Sequence, residues 1–210
     1  APIAWYNRDL RSQNYIVPGI IAIVMVVISA MLASITVAKE WEMGSMEQLI
    51  STPVLAPELV FGKFVPYFVI GMADVAIAVA TGMLLFHVPL RGSPVLLFSG
   101  AALFLTGALF FGLMLSIVMK KMVIAHQIAV LGSYLPTLFL SGYVFGIDNM
   151  PKIIQYVTYI VPGRYFIALS RGIFLKGIGL KILWFDFLLL ALYAALMVII
   201  ANRKMKMKLE

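Results

Sequence analysis

The sequence predicts an all-α integral membrane protein with five membrane-spanning helices, and three observations carry that reading. Of 210 residues, 63% are hydrophobic and only 12% charged, against roughly half and a quarter in soluble domains. Mean hydropathy is +1.04. The apolar residues are gathered into long blocks, and a helix needs about 20 in succession to cross the hydrocarbon layer. The absence of cysteine excludes a disulfide scaffold, a thiolate metal site and a cysteine nucleophile. The formal charge of +7 is spread between the apolar blocks rather than drawn into a stripe. That pattern argues against nucleic acid as a partner and for the lipid membrane.

Five blocks nearly free of Asp, Glu, Lys and Arg run over residues 16–38, 64–86, 95–118, 127–147 and 183–201. Only Asp74 and Asp186 interrupt them. In lipid, a helix satisfies its backbone groups internally. An odd number of spans puts the two ends on opposite sides. Arg203, Lys204, Lys206 and Lys208 follow the last block directly and place the C-terminus in the cytoplasm. Lys120, Lys121 and the segment 39–63 then fall inside, and residues 1–15, 87–94 and 148–182 outside. Summed over all loops, eight basic residues lie on each side, so the orientation rests on the tail and the short loops. The chain starts with Ala and shows no signal peptide, which leads us to expect further N-terminal material.

Between the first two blocks stands Lys39-Glu-Trp-Glu-Met-Gly-Ser-Met-Glu-Gln-Leu-Ile-Ser-Thr-Pro53. Gly44 can end the incoming helix, and Ser45 with Gln48 has the form of a capping box. Pro53 stops the new helix, leaving about two turns over residues 46–51, roughly 9 Å long. Pro57 suits the first turn of the next helix. Isolated helices below about 12 residues are marginal in water, so this one needs a surface to dock against. Met46, Leu49 and Ile50 offer an apolar edge, while Glu40, Gly44, Glu47 and Ser51 would share another side at helical spacing. On the residues alone, an interfacial turn that merely joins two helices is an equal reading.

The run Lys39-Glu40 … Glu42-x-Gly44-Ser45-x-Glu47-x-Leu49 … Thr52-Pro53 resembles the motif after the second transmembrane helix in permease subunits of ABC-2 type exporters. Ser45 stands where Thr is commoner. Downstream, Ser141-Gly-Tyr-Val-Phe … Asn149-Met-Pro151 and Pro162-Gly-Arg-Tyr-Phe166 … Arg171-Gly-Ile-Phe-Leu-Lys-Gly177 resemble the family's fifth helix and re-entrant segment, particularly in its multidrug-type branch. The resemblance implies a single transmembrane domain over residues 1–210, the last five helices of a six-helix permease, without a first helix and an extracytoplasmic domain. It implies a cytoplasmic elbow and coupling helix in 39–63 and an outer re-entrant hairpin in 148–182. It also implies a multi-pass protein of the plasma (inner) membrane that pairs with a second permease copy or a paralogue. ATP and magnesium would then be bound by a separate ATP-binding subunit, not by this chain. Glu40, Glu42 and Glu47 would position the elbow or meet basic groups of that partner, with Gly44, Ser45, Thr52 and Pro53 shaping it and Met46, Leu49 and Ile50 filling the partner's groove.

In the outer segment, Asp148 or Asn149 can cap a helix with Pro151 in its first turn, and Ile153, Ile154, Val157 and Ile160 give it an apolar face. Pro162 and Gly163 end it. A second helix places Phe166, Leu169, Ser170 and Ile173 on one side and Arg164 and Arg171 toward another. At about 10 to 12 residues each, neither can cross. The resemblance makes the pair an outer gate carrying Pro151, Pro162, Arg164 and Arg171; a hairpin sealing the bundle's rim is the alternative.

Asp74 lies ten residues into its block, where a carboxylate costs about 2.5 to 3.5 kcal/mol on insertion scales. A substrate contact, a proton-coupling site and a hydrogen bond to a neighbouring helix are all open. Small residues four apart, Ala76 with Ala80 and Ala108 with Gly112, favour close helix contact. Gly172 and Gly177 have the separation of a nucleotide-binding loop, but Ile178 follows where Lys is required. Serine-hydrolase and His-Glu-x-x-His motifs are absent from the sequence. The chain is therefore expected not to be an enzyme, and the resemblance implies the permease subunit of an ATP-driven exporter, moving a hydrophobic or amphipathic substrate outward. A proton-coupled transporter using Asp74 is the alternative, and an intramembrane aspartyl protease using Asp74 and Asp186 a third reading.

Overall fold

The computed structural model describes the backbone of residues 12–209 and, Ile50 aside, the side chains of residues 16–205. Five helices have the length and hydropathy to cross a membrane, and no strand occurs among the described residues. In order the helices are α1 (Ser12–Glu42), α2 (Ser45–Ile50), α3 (Ala56–Leu84), α4 (Pro94–Met119), α5 (Met122–Leu140), α6 (Lys152–Thr158), α7 (Pro162–Arg171) and α8 (Leu180–Leu209). The long ones are α1, α3, α4, α5 and α8. The elbow helix α2 and the hairpin α6–α7 lie at opposite ends of the bundle.

Helix α4 is the axis of the fold and packs against α1, α3, α5, α7 and α8. Its composition explains why. A helix that is apolar all round belongs in the interior, and Leu97, Phe104, Leu105, Leu109, Phe110, Leu113 and Ile117 are all nearly inaccessible. At Gly112 an added methyl would come within 2.9 Å of the Ala30 carbonyl and 2.8 Å of the Ala33 Cβ. The backbones of α1 and α4 therefore meet closely there, as expected for small residues in membrane helices. Of the other small pair, Ala76 and Ala80 are exposed and make no such seam among the described residues. One turn beyond Gly112, the buried Ser116 hydroxyl accepts the N–H groups of Val37 at 3.0 Å and Ala38 at 2.8 Å. Helices α3 and α8 turn Val65, Val69, Ile77, Leu188, Leu192 and Leu196 outward, the surface a lipid solvent calls for.

Several boundaries depart from the hydropathy blocks. Helix α1 runs on past Ala38 to Glu42, and α3 begins at Ala56 rather than Phe64, carrying Glu58 and Lys63 within it. Hydropathy stops at a charge, whereas a helix stops where its backbone turns. The fourth span starts at Met122 and ends at Leu140, not at residue 147. Gly142 there adopts φ +81°, a left-handed turn, which brings Tyr143 onto the bare backbone at Gly19.

The outer segment also differs in detail. Asp148 and Asn149 lie in a separate 3-10 turn (Ile147–Asn149), and Pro151 precedes α6 as its N-cap instead of entering its first turn. Pro162 opens α7 rather than closing α6, the position where a missing N–H costs nothing. A π-helical turn, Gly172–Lys176, then leads to Gly177 at φ +61°. The face of α7 foreseen as apolar is the buried one, with Phe166, Leu169, Ser170 and Ile173 at 1% exposure or less. Phe166 stacks on Phe104 at 4.6 Å between ring centres. On α6 and the turn after it, by contrast, Ile153 and Ile160 are each 79% exposed, so that this apolar face looks away from the bundle.

Candidate functional site

The elbow is built at the end of α1. Met43 N–H donates to Lys39 O at 2.9 Å and Gly44 N–H to Trp41 O at 3.3 Å, closing the helix. Gly44 then takes φ +74° with open space around its absent side chain. Glycine is required there for torsion, not for room. Gly44 itself is the N-cap of α2, and the capping box expected from Ser45 and Gln48 does not form. The Ser45 hydroxyl instead donates back to Glu40 O at 3.4 Å, and Gln48 is exposed. A half-box occurs one helix later, where the Glu58 carboxylate accepts the Leu55 N–H at 3.0 Å and opens α3. At the far end of α2, the Ser51 and Thr52 hydroxyls donate to Gln48 O at 2.7 Å and Leu49 O at 2.6 Å. Those bonds satisfy carbonyls that a two-turn helix would otherwise leave open. Pro53 follows, exposed.

Three charged contacts tie this corner to the bundle. Glu40 forms an ion pair with Lys63 of α3. The Glu42 carboxylate accepts the Met122 N–H at 3.0 Å, capping α5 from 80 residues away. An anion at a helix N-terminus is favoured by the helix dipole. Lys120 places its ammonium 3.9 Å from the centre of the Trp41 ring. Two of the three glutamates foreseen as partner contacts are thus engaged within the chain, whereas Glu47, exposed like Glu42, has no hydrogen-bond or ion-pair partner among the described residues.

The apolar edge of α2 points inward as well. Met46 is completely buried in the main core and Leu49 packs against it. This corrects the expectation that Met46 fills a partner's groove: the residue is the anchor by which α2 is held. The Ile50 side chain lies outside the described residues. What the elbow offers outward is Met43, Glu47, Gln48, Ser51, Thr52, Pro53, Val54 and Leu55. Met43 at 69% and Leu55 at 64% exposure are its most exposed large apolar members, neither foreseen from the sequence. Their signal was available: each is an apolar side chain beside a helix end, off the spacing of the buried edge.

At the other end, the two arginines expected in the outer hairpin hold it. Arg164 donates to the Thr158 hydroxyl and lies 4.0 Å from the centre of the Tyr159 ring. Arg171 donates to Gly142 O at 3.2 Å, joining α7 to the turn that ends α5. The Tyr165 hydroxyl donates to Tyr159 O at 2.6 Å. Burial pushes that phenol above its ordinary range, with the Arg164 charge opposing, so it remains a donor. Pro151 and Pro162 set the two helix starts. Asp74 is brought to neither end; it lies half-buried on α3 beside α1.

The arrangement of a buried-anchor elbow helix between the first two spans and a docked hairpin before the last can be set beside known proteins. A family described as ABC-2 type transporter matches residues 3–175. The chain belongs to the ABC-2 type transporter family. It is 41% identical over 173 residues to the probable multidrug ABC transporter permease YbhS of Escherichia coli K12, covering 82% of this chain and 46% of the relative. To the probable multidrug ABC transporter permease YbhR of the same organism it is 31% identical, over 86% of this chain and 49% of that protein. ABC transporter G family member 20 of Dictyostelium discoideum is 25% identical over 95% of this chain and 28% of its own length. The chain spans about half the length of the two bacterial relatives. As an ABC-2 family member it is an all-α, multi-pass membrane protein.

Proposed function

We propose that this ABC-2 chain is the membrane part of a permease subunit of an ATP-driven exporter, with its elbow and C-terminus in the cytoplasm of a cell bounded by the inner membrane. The observation that carries the proposal is the elbow helix α2, too short to persist alone, anchored by Met46 and bearing on its outer side an exposed Glu47 that has no partner among the described residues. Such a helix can receive a push and has the connections to transmit it. Displacement of α2 loads the end of α1 through the Gly44 turn, and α1 passes the load to α3 through Glu40–Lys63 and to α5 through Glu42–Met122. A separate ATP-binding subunit supplies the push and holds ATP and magnesium. A second permease copy or paralogue completes the path for a hydrophobic or amphipathic substrate. ATP does the work only through its different affinity for the two conformations it separates. The hairpin at the opposite end acts as the outer gate, hinged where Arg171 meets Gly142.

Affinity purification in mild detergent is expected to co-isolate an ATPase. Glu47→Lys is expected to leave the protein in the membrane while uncoupling hydrolysis from transport. Labelling of residues 45–52 from the external face overturns the proposal. So does wild-type transport by Glu47→Lys, or transport that follows the proton gradient and ignores ATP.

A further inference from the structure

Asp74 lies on α3 ten residues before Leu84, about 15 Å along the helix from the hairpin end at 1.5 Å per residue. It borders a small cleft of about 20 Å³ between α1 and α3, shared with Ile21, Val24, Ser29, Gly71 and Ala78. Toward the hairpin end, Ile21, Val24 and Ala78 also line a larger chamber of about 330 Å³. Ile16, Ile20 and Phe86 wall that chamber, and no ionisable residue lines it among the described residues. Its volume falls among pockets that take drug-sized ligands, about 300 to 1,000 Å³.

The carboxylate at the foot of this groove has no hydrogen-bond or ion-pair partner among the described residues. The Ser29 hydroxyl beside it donates to Met25 O at 2.6 Å. An ionisable side chain at membrane depth is costly and marks a pathway or a ligand site. The groove joins two requirements. The chamber takes an apolar body, and the acid takes a positive charge that hydrocarbon alone would reject.

We infer that the α1–α3 groove binds an amphipathic organic cation, with its charged centre at Asp74 and its apolar body against Ile16, Ile20, Val24 and Phe86. The inference rests on the permease reading above and names the substrate class of that path. An anion is repelled at the same position, and a neutral apolar compound gains only the chamber.

The test is equilibrium binding to the full chain in lipid nanodiscs, above empty nanodiscs. The probes are tetraphenylphosphonium and the neutral triphenylphosphine oxide. Asp74→Asn is expected to weaken the cation by at least about tenfold and leave the neutral compound unchanged. Asp74→Glu keeps cation binding within about threefold. Val24→Trp, which fills the groove, weakens both. Cation binding by Asp74→Asn equal to wild type overturns the inference. If Asp74→Asn does not accumulate, undiminished binding of both probes by Val24→Trp overturns it instead. Glu47→Lys is expected to bind the cation normally, so coupling and binding fail separately: intact coupling with Asp74-independent binding sinks only the groove, and the converse only the exporter.

Discussion

Replacing Met46 with alanine isolates the docking of α2. The side chain is completely buried in the main core, and truncating a buried Met, Leu or Ile costs about 2 to 5 kcal/mol. The exposed outer side of α2 lets the site collapse, which favours the lower end, about 2 kcal/mol. The six residues of α2 cannot hold a helix unaided, so that loss falls on the docked state alone. At 1.4 kcal/mol per decade it raises the undocked population by about 30-fold. Hydrogen exchange in nanodiscs, resolved over residues 43–55, reads this directly. Exchange in that window is expected to quicken by about that factor while the amides of α4 stay protected, since the α1–α4 seam is untouched. Met46→Leu, close in volume, is expected to restore most of the protection. A rise below about threefold, or one that spreads equally into α4, refutes the view of Met46 as a local anchor.

Two further outcomes follow from the seam itself. Gly112→Val drives a branched side chain into the Ala30 carbonyl and the Ala33 Cβ, an overpacking cost of about 1 to 3 kcal/mol; the midpoint of unfolding in mixed micelles is expected to fall, while Ala76→Val, at an exposed position, leaves it unmoved. Ser116→Ala removes the acceptor shared by Val37 and Ala38 and is expected to cost about 1 to 3 kcal/mol, with faster amide exchange confined to residues 37–38 and their neighbours and largely restored by Ser116→Thr.

The five spans and the two-turn elbow were legible in the chain because both depend on local properties. Transfer of a side chain into lipid is summed along the sequence, and Gly44 and Pro53 act on their own backbone. The ABC-2 family resemblance was legible for the same reason, as an order of short motifs. Local chemistry could not say which neighbour a side chain would meet. Ser45 and Gln48 have the form of a capping box, yet Glu40 O, placed by the preceding turn, takes the serine hydroxyl. Met46 reads equally well as an anchor or as a ligand for a partner, because an apolar edge does not state which apolar surface covers it. That surface is this chain's own core.

The sequence by itself determined how many times this ABC-2 chain crosses the membrane and where it bends, since hydropathy and backbone torsion are additive along a chain. Only the tertiary structure decided that Glu40 and Glu42 serve Lys63 and Met122, 23 and 80 residues distant, and that Asp74 faces a groove between α1 and α3. Those assignments turn on the rotation of each helix about its axis. That rotation is set by close contacts such as Gly112 against Ala30, which exist only once the helices have packed.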